Sequence, residues 1–438
     1  MKRNILQNLT EWKKSKRRKP LLLRGARQVG KTWALQEFGR TCFSNCLYIN
    51  FEKQPEYRQF FQTTKDVRRI LPNLAMSNRE RITPETLIVF DEIQECGEAL
   101  NTLKYFCEDA PEYYVAGAGS LLGLKLSHGF PVGKVNFLEM GPMSFEEFLV
   151  ACGEENLTAY IRSIDRIEAI PEVFFNPLTE RLKMYFITGG MPEVVKTWAE
   201  DWDIAAADEV LTEILNSYGS DFGKHADSSD FHKIQLVWDS LPSQLSKENK
   251  KFLYSTVKDG ARAREYENAV NWLCCAEVVC KVTRIKKPGL PVTAYDDRSA
   301  FKIYMGDVGL LRKKAALSTA AFTEGSRLFT EFKGALTENY VLESVSRQFE
   351  LKPRYWADGQ YEVDFILQRG NSLIPVEVKA GGNVKSASLR NYCIRYRDET
   401  PLAVRMSMKN LSFDGKILNV PLFLADRLND LIGIALGE

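Results

Sequence analysis

The sequence predicts an α/β fold with a parallel, doubly wound sheet, and two short stretches carry most of that prediction. In the first stretch, the apolar residues 21–23 form a buried strand that leads through a glycine-containing loop into a helix beginning near Thr32. In the second stretch, the apolar strand 86–90 ends in the acids Asp91 and Glu92, and we call it the acid-tipped strand. Strands that alternate with helices in this way pair in parallel, and ligands bind at the carboxyl ends of such strands.

The loop of the first stretch has the spacing G-x-x-x-x-G-K-[ST], which is typical of a phosphate-binding P-loop. Its residues are Gly25, Ala26, Arg27, Gln28, Val29, Gly30, Lys31 and Thr32. The two glycines allow backbone N–H groups to turn inward and form a nest for an anion. Lys31 supplies a positive charge for the outer phosphates, Thr32 a hydroxyl for Mg²⁺, and the helix N-terminus a favourable dipole. The alternative is a glycine-containing turn that matches by chance.

The acids after the second strand predict the other half of a site for ATP or GTP with Mg²⁺. We expect Asp91 to hold Mg²⁺ through its water shell and Glu92 to orient or deprotonate the attacking water. Capping of the next helix is the alternative role of these acids. Ser120 follows the strand 113–117 and is expected either to sense the γ-phosphate or to cap the next helix. The predicted catalytic residues are therefore Glu92, Lys31 and Ser120.

Composition limits the number of domains and the class of protein. A chain of 438 residues is too long for one core and predicts two to four domains. The hydrophobic content of 45% is typical of a globular protein, and a net charge of +2 argues neither for nor against nucleic acid. We find no apolar run of membrane-spanning length and no signal peptide, so we expect a cytoplasmic protein without membrane association. The scattered cysteines and three histidines predict neither a disulfide framework nor a zinc site.

The middle of the chain has helical patterns followed by two strands. Gly189 and Gly190 break one helix, as at a hinge or at a tight packing point. Three helical faces between residues 231 and 273 precede strands at 278–282 and 300–305. Three helices and a hairpin predict a winged-helix-like module, which either contacts DNA or serves as a scaffold between domains.

The C-terminal part carries charged residues within apolar elements. Glu338 lies in a predicted helix, Asp364 in a following strand, and Glu377 and Lys379 on one face of the next strand. Antiparallel pairing would bring the strand residues together, with Glu338 approaching from the helix. This is the layout of a D…E-x-K nuclease, in which carboxylates bind Mg²⁺ and the lysine helps to activate water. The alternative is an amphipathic hairpin whose Glu–Lys pair faces water.

Six segments of the sequence stand in the order seen in one protein family. They are residues 25–32, 130–133, 144–148, 189–193, 362–365 and 377–379. In these segments the chain resembles the prokaryotic AAA-type ATP-binding proteins that end in a conserved domain of unknown function related to restriction-endonuclease-like folds. The resemblance covers essentially the whole chain. Two positions depart from it, since Lys134 stands where the family usually has Arg, and Ala118 stands where the family has a Thr-Gly-Ser-like strand.

The resemblance implies four modules and an activity. It implies a P-loop AAA+ core at 1–150, a helical lid at 151–225, a winged-helix-like module at 226–318 and a restriction-endonuclease-like α/β domain at 319–438. The implied function is that of a Mg²⁺-dependent AAA+ ATPase whose hydrolysis cycle drives its C-terminal modules. The alternatives are an ATP-gated metal-dependent nuclease acting on DNA or RNA, and an ATP-dependent switch whose inactive nuclease-like module binds partners. Expected partners are ATP, nucleic acid through the two C-terminal modules, and a second copy of the chain.

Overall fold

The structure is a computed structural model that describes residues 2–125, 133–226, 228–247, 250–319, 330–381 and 387–438. Its residues fall into two compact units. The first unit comprises Lys2–Gly141 and Trp272–Val278, and the second comprises Pro142–Asn271 and Val279–Glu438. Residues 130–132, which belong to one segment of the family resemblance, lie outside the described residues. Within the described ranges, every helix is too short or too polar to cross a membrane.

Within the described residues, the first unit contains five strands and six α-helices. The strands are β1 (Leu21–Arg24), β2 (Asn45–Asn50), β3 (Thr86–Asp91), β4 (Tyr114–Gly119) and β5 (Asn136–Glu139). The helices are α1 (Ile5–Lys14), α2 (Lys31–Cys42), α3 (Arg58–Thr63), α4 (Val67–Asn78), α5 (Gly97–Asp109) and α6 (Leu122–Lys125). All five strands are parallel, in the order β2-β3-β4-β1-β5. The predicted α/β fold with a parallel sheet is confirmed.

Burial explains why these segments form the centre of the sheet. The leucines of β1 and all residues of β3 are buried, as expected for parallel strands that helices cover on both faces. One core cluster contains Leu22, Ile88 and Phe90 of the strands together with side chains of α4 and α5. Because β4 lies between β1 and β3, the loops that follow these three strands open at the same edge of the sheet.

The second unit contains helices and one large mixed sheet. Its helices are α7 (Phe145–Ala151), α8 (Glu155–Ser163), α9 (Glu172–Thr188), α10 (Pro192–Asp201), α11 (Ile204–His225), α12 (Ser228–Leu245), α13 (Tyr254–Val257), α14 (Ala263–Cys275, whose last residues group with the first unit), α15 (Val308–Lys314), α16 (Thr330–Val345), α17 (Ala387–Arg395) and α18 (Leu428–Leu436). Its strands are β6 (Val279–Ile285), β7 (Asp296–Met305), β8 (Arg354–Asp358), β9 (Tyr361–Arg369), β10 (Ser372–Val378), β11 (Ala403–Ser407), β12 (Ser412–Phe413) and β13 (Ile417–Pro421).

The predicted hairpin of the winged-helix-like module is part of the same sheet as the predicted nuclease-like strands. The strand order is β12-β13-β11-β10-β9-β8-β6-β7. Strand β6 pairs antiparallel with β7, and its other edge pairs in parallel with Arg354, Tyr355 and Trp356 of β8. The hairpin therefore does not project as a free wing, because both edges of β6 are hydrogen-bonded within the sheet. The expected boundary between the winged-helix-like module (226–318) and the restriction-endonuclease-like domain (319–438) therefore separates strands that belong to one continuous sheet.

Gly189 and Gly190 form a tight packing point in the second unit. Gly189 has φ +69°, and a Cβ atom there would lie 2.2 Å from Oδ1 of Asp307. A Cβ atom on Gly190 would lie 2.1 Å from the carbonyl oxygen of Met143. The buried Asp307 accepts hydrogen bonds from the N–H groups of Gly190 (2.6 Å) and Leu310 (2.8 Å), and it thereby caps α15. Of the two alternatives for the glycine pair, the structure shows packing.

Replacement of Asp307 by alanine is expected to lower the free energy of unfolding by about 2–4 kcal/mol, because two buried N–H groups lose their acceptor. Urea unfolding followed by circular dichroism measures this loss. Asp203→Ala is the matched control, since Asp203 caps α11 at an exposed position and its loss should cost only about 1 kcal/mol. Equal losses in the two variants would contradict the role given to Asp307.

Candidate functional site

The predicted P-loop connects β1 to α2, and three of its residues have positive φ angles. Gly25 (φ +156°) and Gly30 (φ +94°) have backbone angles that favour glycine, and Gln28 also has a positive φ of 66°. A Cβ atom on Gly25 would lie 2.1 Å from the carbonyl oxygen of Met140, so a larger residue does not fit. Gly30 is the N-cap of α2 and makes no side-chain cap, which leaves the first N–H groups of this helix to an anion.

Lys31 lies inside the loop that it is expected to serve. Its Nζ donates hydrogen bonds to the carbonyl oxygens of Gly25 (2.9 Å) and Ala26 (2.8 Å). Burial lowers the pKa of Lys31 to about 8, and nearby carboxylates, Glu92 first among them, offset part of this effect. A phosphate in the loop would give this buried ammonium group a counter-charge.

The two predicted halves of the site meet at a hydroxyl and a carboxylate. Thr32 at the start of α2 donates a hydrogen bond from Oγ1 to Oδ2 of Asp91 at the end of β3, over 2.7 Å. Asp91 is buried, with 3% of its surface exposed. Mg²⁺ in nucleotide sites is held by one or two such oxygen ligands together with water and phosphate oxygens. The donor set therefore fits Mg²⁺ bound with a nucleotide.

Two residues of β2 support Asp91, and sequence reasoning did not single them out. The hydroxyl of Tyr48 donates a hydrogen bond to Oδ2 of Asp91 (2.6 Å), and Nδ2 of Asn50 lies 3.3 Å from the Tyr48 oxygen. Burial and the bond to Asp91 raise the pKa of Tyr48. Asn50 pairs with Asp91 in the register of β2 and β3. The available signal was the polar residues at alternate positions of the strand that precedes the acid-tipped strand.

Glu92 and the end of β4 are linked through Gln94. The Nε2 atom of Gln94 donates a hydrogen bond to Oε2 of Glu92 over 2.5 Å, and burial raises the pKa of Glu92 above its ordinary value. Gln94 packs closely on Gly119, where a Cβ atom would lie 2.0 Å from the Gln94 Oε1 atom. Ser120 follows directly at the carboxyl end of β4, beside β1 and β3.

Lys134, one of the departures from the family pattern, forms an ion pair of 2.9 Å with Glu108.

Arg3 is a third residue that sequence reasoning missed. Its Nη1 donates a hydrogen bond to the carbonyl oxygen of Val29 within the P-loop (2.8 Å), and its Nη2 donates to the carbonyl oxygen of Gly141 (2.8 Å). The guanidinium group, which is almost fully buried, thereby links the P-loop to the segment that follows β5. No motif marks this residue, because its partners are backbone atoms distant in the sequence.

The acids predicted for the nuclease-like domain lie in the second unit, where lysines accompany them. Glu338 of α16 accepts hydrogen bonds from Lys250 and from the hydroxyl of Tyr304 (2.9 Å). Lys302 of β7 is fully buried and lies 2.5 Å from Oε1 of Glu362 on β9. Neither lysine was singled out from the sequence, because both lie far from the D…E-x-K segment.

Asp364, Glu377 and Lys379 make separate contacts. Oδ2 of Asp364 accepts the N–H of Val378 (2.8 Å), and burial, followed by the charge of Glu338, raises the pKa of Asp364 to about 7. Glu377 is paired with Lys379 at 3.1 Å, and its Oε2 has no hydrogen-bond partner. In the described part of the chain, no three acidic, histidine or cysteine side chains are grouped so that they could hold a metal ion.

Models of three protein families match separate parts of the sequence. Residues 17–149 match an AAA domain, residues 179–321 match a Domain of unknown function (DUF8612), and residues 333–423 match a Domain of unknown function (DUF4143). No curated protein matches the sequence.

Several solved structures are similar to this chain at low identity. A Walker-type ATPase of Pyrococcus abyssi is 15% identical over 70% of this chain and 94% of that chain, with a TM-score of 0.43. PCH-2 of C. elegans is 13% identical over 46% and 61% of the two chains, with a TM-score of 0.26. The ORC1 protein of Aeropyrum pernix, solved in complex with DNA, is 11% identical over 72% and 91%, with a TM-score of 0.27. The AAA match at residues 17–149 contains both halves of the site described above, and this part of the chain is a P-loop AAA-type ATPase domain.

Proposed function

We propose that this chain binds ATP with Mg²⁺ at the edge of the five-stranded sheet and hydrolyses it. The observation that carries the proposal is the contact of 2.7 Å between Thr32 of the P-loop and Asp91 of the acid-tipped strand. A chance glycine turn has no reason to place its hydroxyl on a buried carboxylate 59 residues away. The AAA family match supports the same activity.

The residues of the P-loop bind and orient the triphosphate. The N–H groups between Gly25 and Gly30 surround the phosphates, and Lys31 turns its ammonium group from the loop carbonyls to the outer phosphate oxygens. Thr32 and Asp91 would hold the cation. Mg²⁺, when bound, would neutralise part of the negative charge that develops on the phosphate oxygens. Arg3 keeps the loop backbone in place through the carbonyl group of Val29.

Glu92 is the group that we assign to the attacking water. Its carboxylate, held by Gln94, accepts a proton from water or orients it for attack in line with the leaving oxygen. The raised pKa of Glu92 makes its carboxylate a better proton acceptor than an exposed glutamate. Ser120, at the end of the central strand β4, is the proposed sensor of the γ-phosphate.

We infer the role of ATP hydrolysis from the family resemblance. On this basis the cycle drives the helical lid, the winged-helix-like module and the nuclease-like domain, with nucleic acid and a second copy of the chain as candidate partners. The two alternatives, an ATP-gated nuclease and a regulatory switch, begin from the same ATP site. They differ only in what the second unit does.

Lys31→Ala is expected to weaken ATP binding by about 10- to 100-fold, because a charge-assisted contact to phosphate is lost. Titration with a fluorescent ATP analogue measures the affinity. Lys16→Ala, at an exposed position before β1, is the control and should bind ATP with the affinity of the wild type. Unchanged binding by Lys31→Ala would contradict the site.

Glu92→Gln should leave ATP affinity within a few-fold of the wild type and slow hydrolysis by about 10²- to 10⁴-fold, because the amide cannot accept the proton of the attacking water. A phosphate-release assay under single-turnover conditions measures the rate. Glu95→Gln, three residues further along the same segment, is the control and should hydrolyse normally. Wild-type rates in Glu92→Gln would remove this residue from the mechanism.

Tyr48→Phe should weaken Mg²⁺-dependent ATP binding by about 10-fold, because Asp91 loses a donor that orients its carboxylate. The affinity is compared with Mg²⁺ present and in EDTA. Tyr57→Phe is the matched control, since the hydroxyl of Tyr57 donates to Asn78 instead. An equal loss of affinity in EDTA would show that Tyr48 supports the fold of the site and not its cation.

A further inference from the structure

We propose that the acidic residues of the nuclease-like domain belong to an internal ion-pair network that takes the place of a metal site. The network consists of Lys250, Lys302, Glu338, Glu362 and Asp364, and we call it the lysine–carboxylate cluster. It follows that this domain is not a Mg²⁺-dependent nuclease. The cluster instead stabilises the contact between two parts of the second unit, which lie within residues 179–321 and 333–423.

Both oxygens of Glu338 already have partners within the protein, and one of these partners is a cation. One oxygen accepts a hydrogen bond from Lys250, and the other accepts the hydroxyl proton of Tyr304 over 2.9 Å. Only 7% of the Glu338 side chain and 13% of the Lys250 side chain are exposed, so water does not replace these partners readily. A metal ion would have to displace a buried ammonium group to reach this carboxylate, and breaking such a buried pair is costly.

Lys302 brings a second positive charge to the carboxyl groups of the cluster. Its side chain is completely buried, and its Nζ lies 2.5 Å from Oε1 of Glu362. Burial by itself would lower the pKa of Lys302, but the charges of Glu338, Glu362 and Asp364 raise the pKa above its ordinary value. The lysine therefore remains an ammonium ion that contacts Glu362 and is stabilised by the charges of Glu338 and Asp364.

The charges of the cluster nearly balance without a metal ion. Two ammonium groups face three carboxyl groups, and Asp364 also accepts the backbone N–H of Val378 over 2.8 Å. With every carboxyl ionised, the cluster carries one net negative charge. Addition of Mg²⁺ would leave a net positive charge and place a divalent cation beside two buried ammonium groups, which is strongly unfavourable at short distance in a medium of low dielectric constant.

Among the predicted ligands, Glu377 retains a buried oxygen without a hydrogen-bond partner. Its Oε2 is buried without a hydrogen-bond partner, and its Oε1 is paired with Lys379 at 3.1 Å. A single carboxylate oxygen beside a lysine is a poor Mg²⁺ site, since Mg²⁺ requires octahedral oxygen coordination. The described residues do not add two further acidic, histidine or cysteine side chains to it.

The cluster joins elements that two different family models match. Lys250 and Lys302 fall within residues 179–321, whereas Glu338, Glu362 and Asp364 fall within residues 333–423. The same two parts share one sheet through the pairing of β6 with β8. A charged contact between buried side chains adds a second connection at this junction, and it explains lysines that a separate nuclease domain would not need.

The metal-binding arm of the test uses the full-length wild-type protein without nucleotide. Titration with Mn²⁺, followed by electron paramagnetic resonance, should show no saturable site that differs between the wild type and Glu377→Gln or Asp364→Asn. Incubation with plasmid DNA, single-stranded DNA and RNA in Mn²⁺ should produce no cutting above that of a Lys379→Met variant. A Mn²⁺ site lost in either acid variant, or cutting lost in Lys379→Met, would overturn the proposal.

The second test compares the thermal stability of variants that replace the buried Lys302 or an exposed lysine outside the cluster. Lys302→Met should lower the melting temperature by about 5–10 °C, because the three carboxyl groups then share a single ammonium group, that of Lys250. Lys183→Met, which removes only an exposed ion pair with Glu180 within α9, should change it by less than about 2 °C.

If Lys302→Met does not fold, the double variant Lys302→Met/Glu362→Gln tests the ion-pair network instead. Removal of both charges should restore part of the stability that Lys302→Met loses, because the loss comes from the unpaired carboxylate of Glu362 and not from the missing lysine. A double variant that is no more stable than Lys302→Met, or a single variant as stable as the wild type, would contradict the network.

Discussion

The hydrogen bond from Thr32 to Asp91 is the contact on which the nucleotide site depends, and it exists only because of the strand order. The two residues are 59 positions apart and belong to the segments after β1 and β3. They meet because β4 lies between these strands and all of them are parallel, so that their carboxyl ends share one edge. The apolar strands, buried on both faces, provide the hydrophobic free energy that holds this edge in place.

The nucleotide site was predictable where the signal is local, and less so where it depends on packing. Spacing alone identified the P-loop and the acid-tipped strand, because conformation and chemistry are encoded there within a few residues. Tyr48, Asn50 and Arg3 were not identified. The first two reach Asp91 only through the register of β2 with β3, and Arg3 bonds to carbonyl groups whose positions no sequence pattern reveals. Strand β5 was likewise missed, since its four residues are too few for a clear alternation.

The second unit shows how sequence patterns identify elements without identifying their neighbours. Helices followed by a hairpin were predicted at the correct places, and so were the acids of β9 and β10. The pairing of β6 with β8 was not, because a strand pattern specifies which face is apolar but not which strand lies at each edge. Strands β11 to β13 extend the same sheet beyond the motif-bearing hairpin.

Two buried acidic sites in this chain differ in the kind of partner that stabilises the carboxylate. Asp91 is held by the hydroxyl groups of Thr32 and Tyr48, which are neutral donors. Neutral donors stabilise a carboxylate while leaving its full negative charge for a cation. In the second unit, Lys250 and Lys302 bring positive charges to the acids, and an ammonium group cancels the charge that would attract a metal ion. The identity of the donor, and not the number of acids, therefore separates a cation site from an ion-pair network.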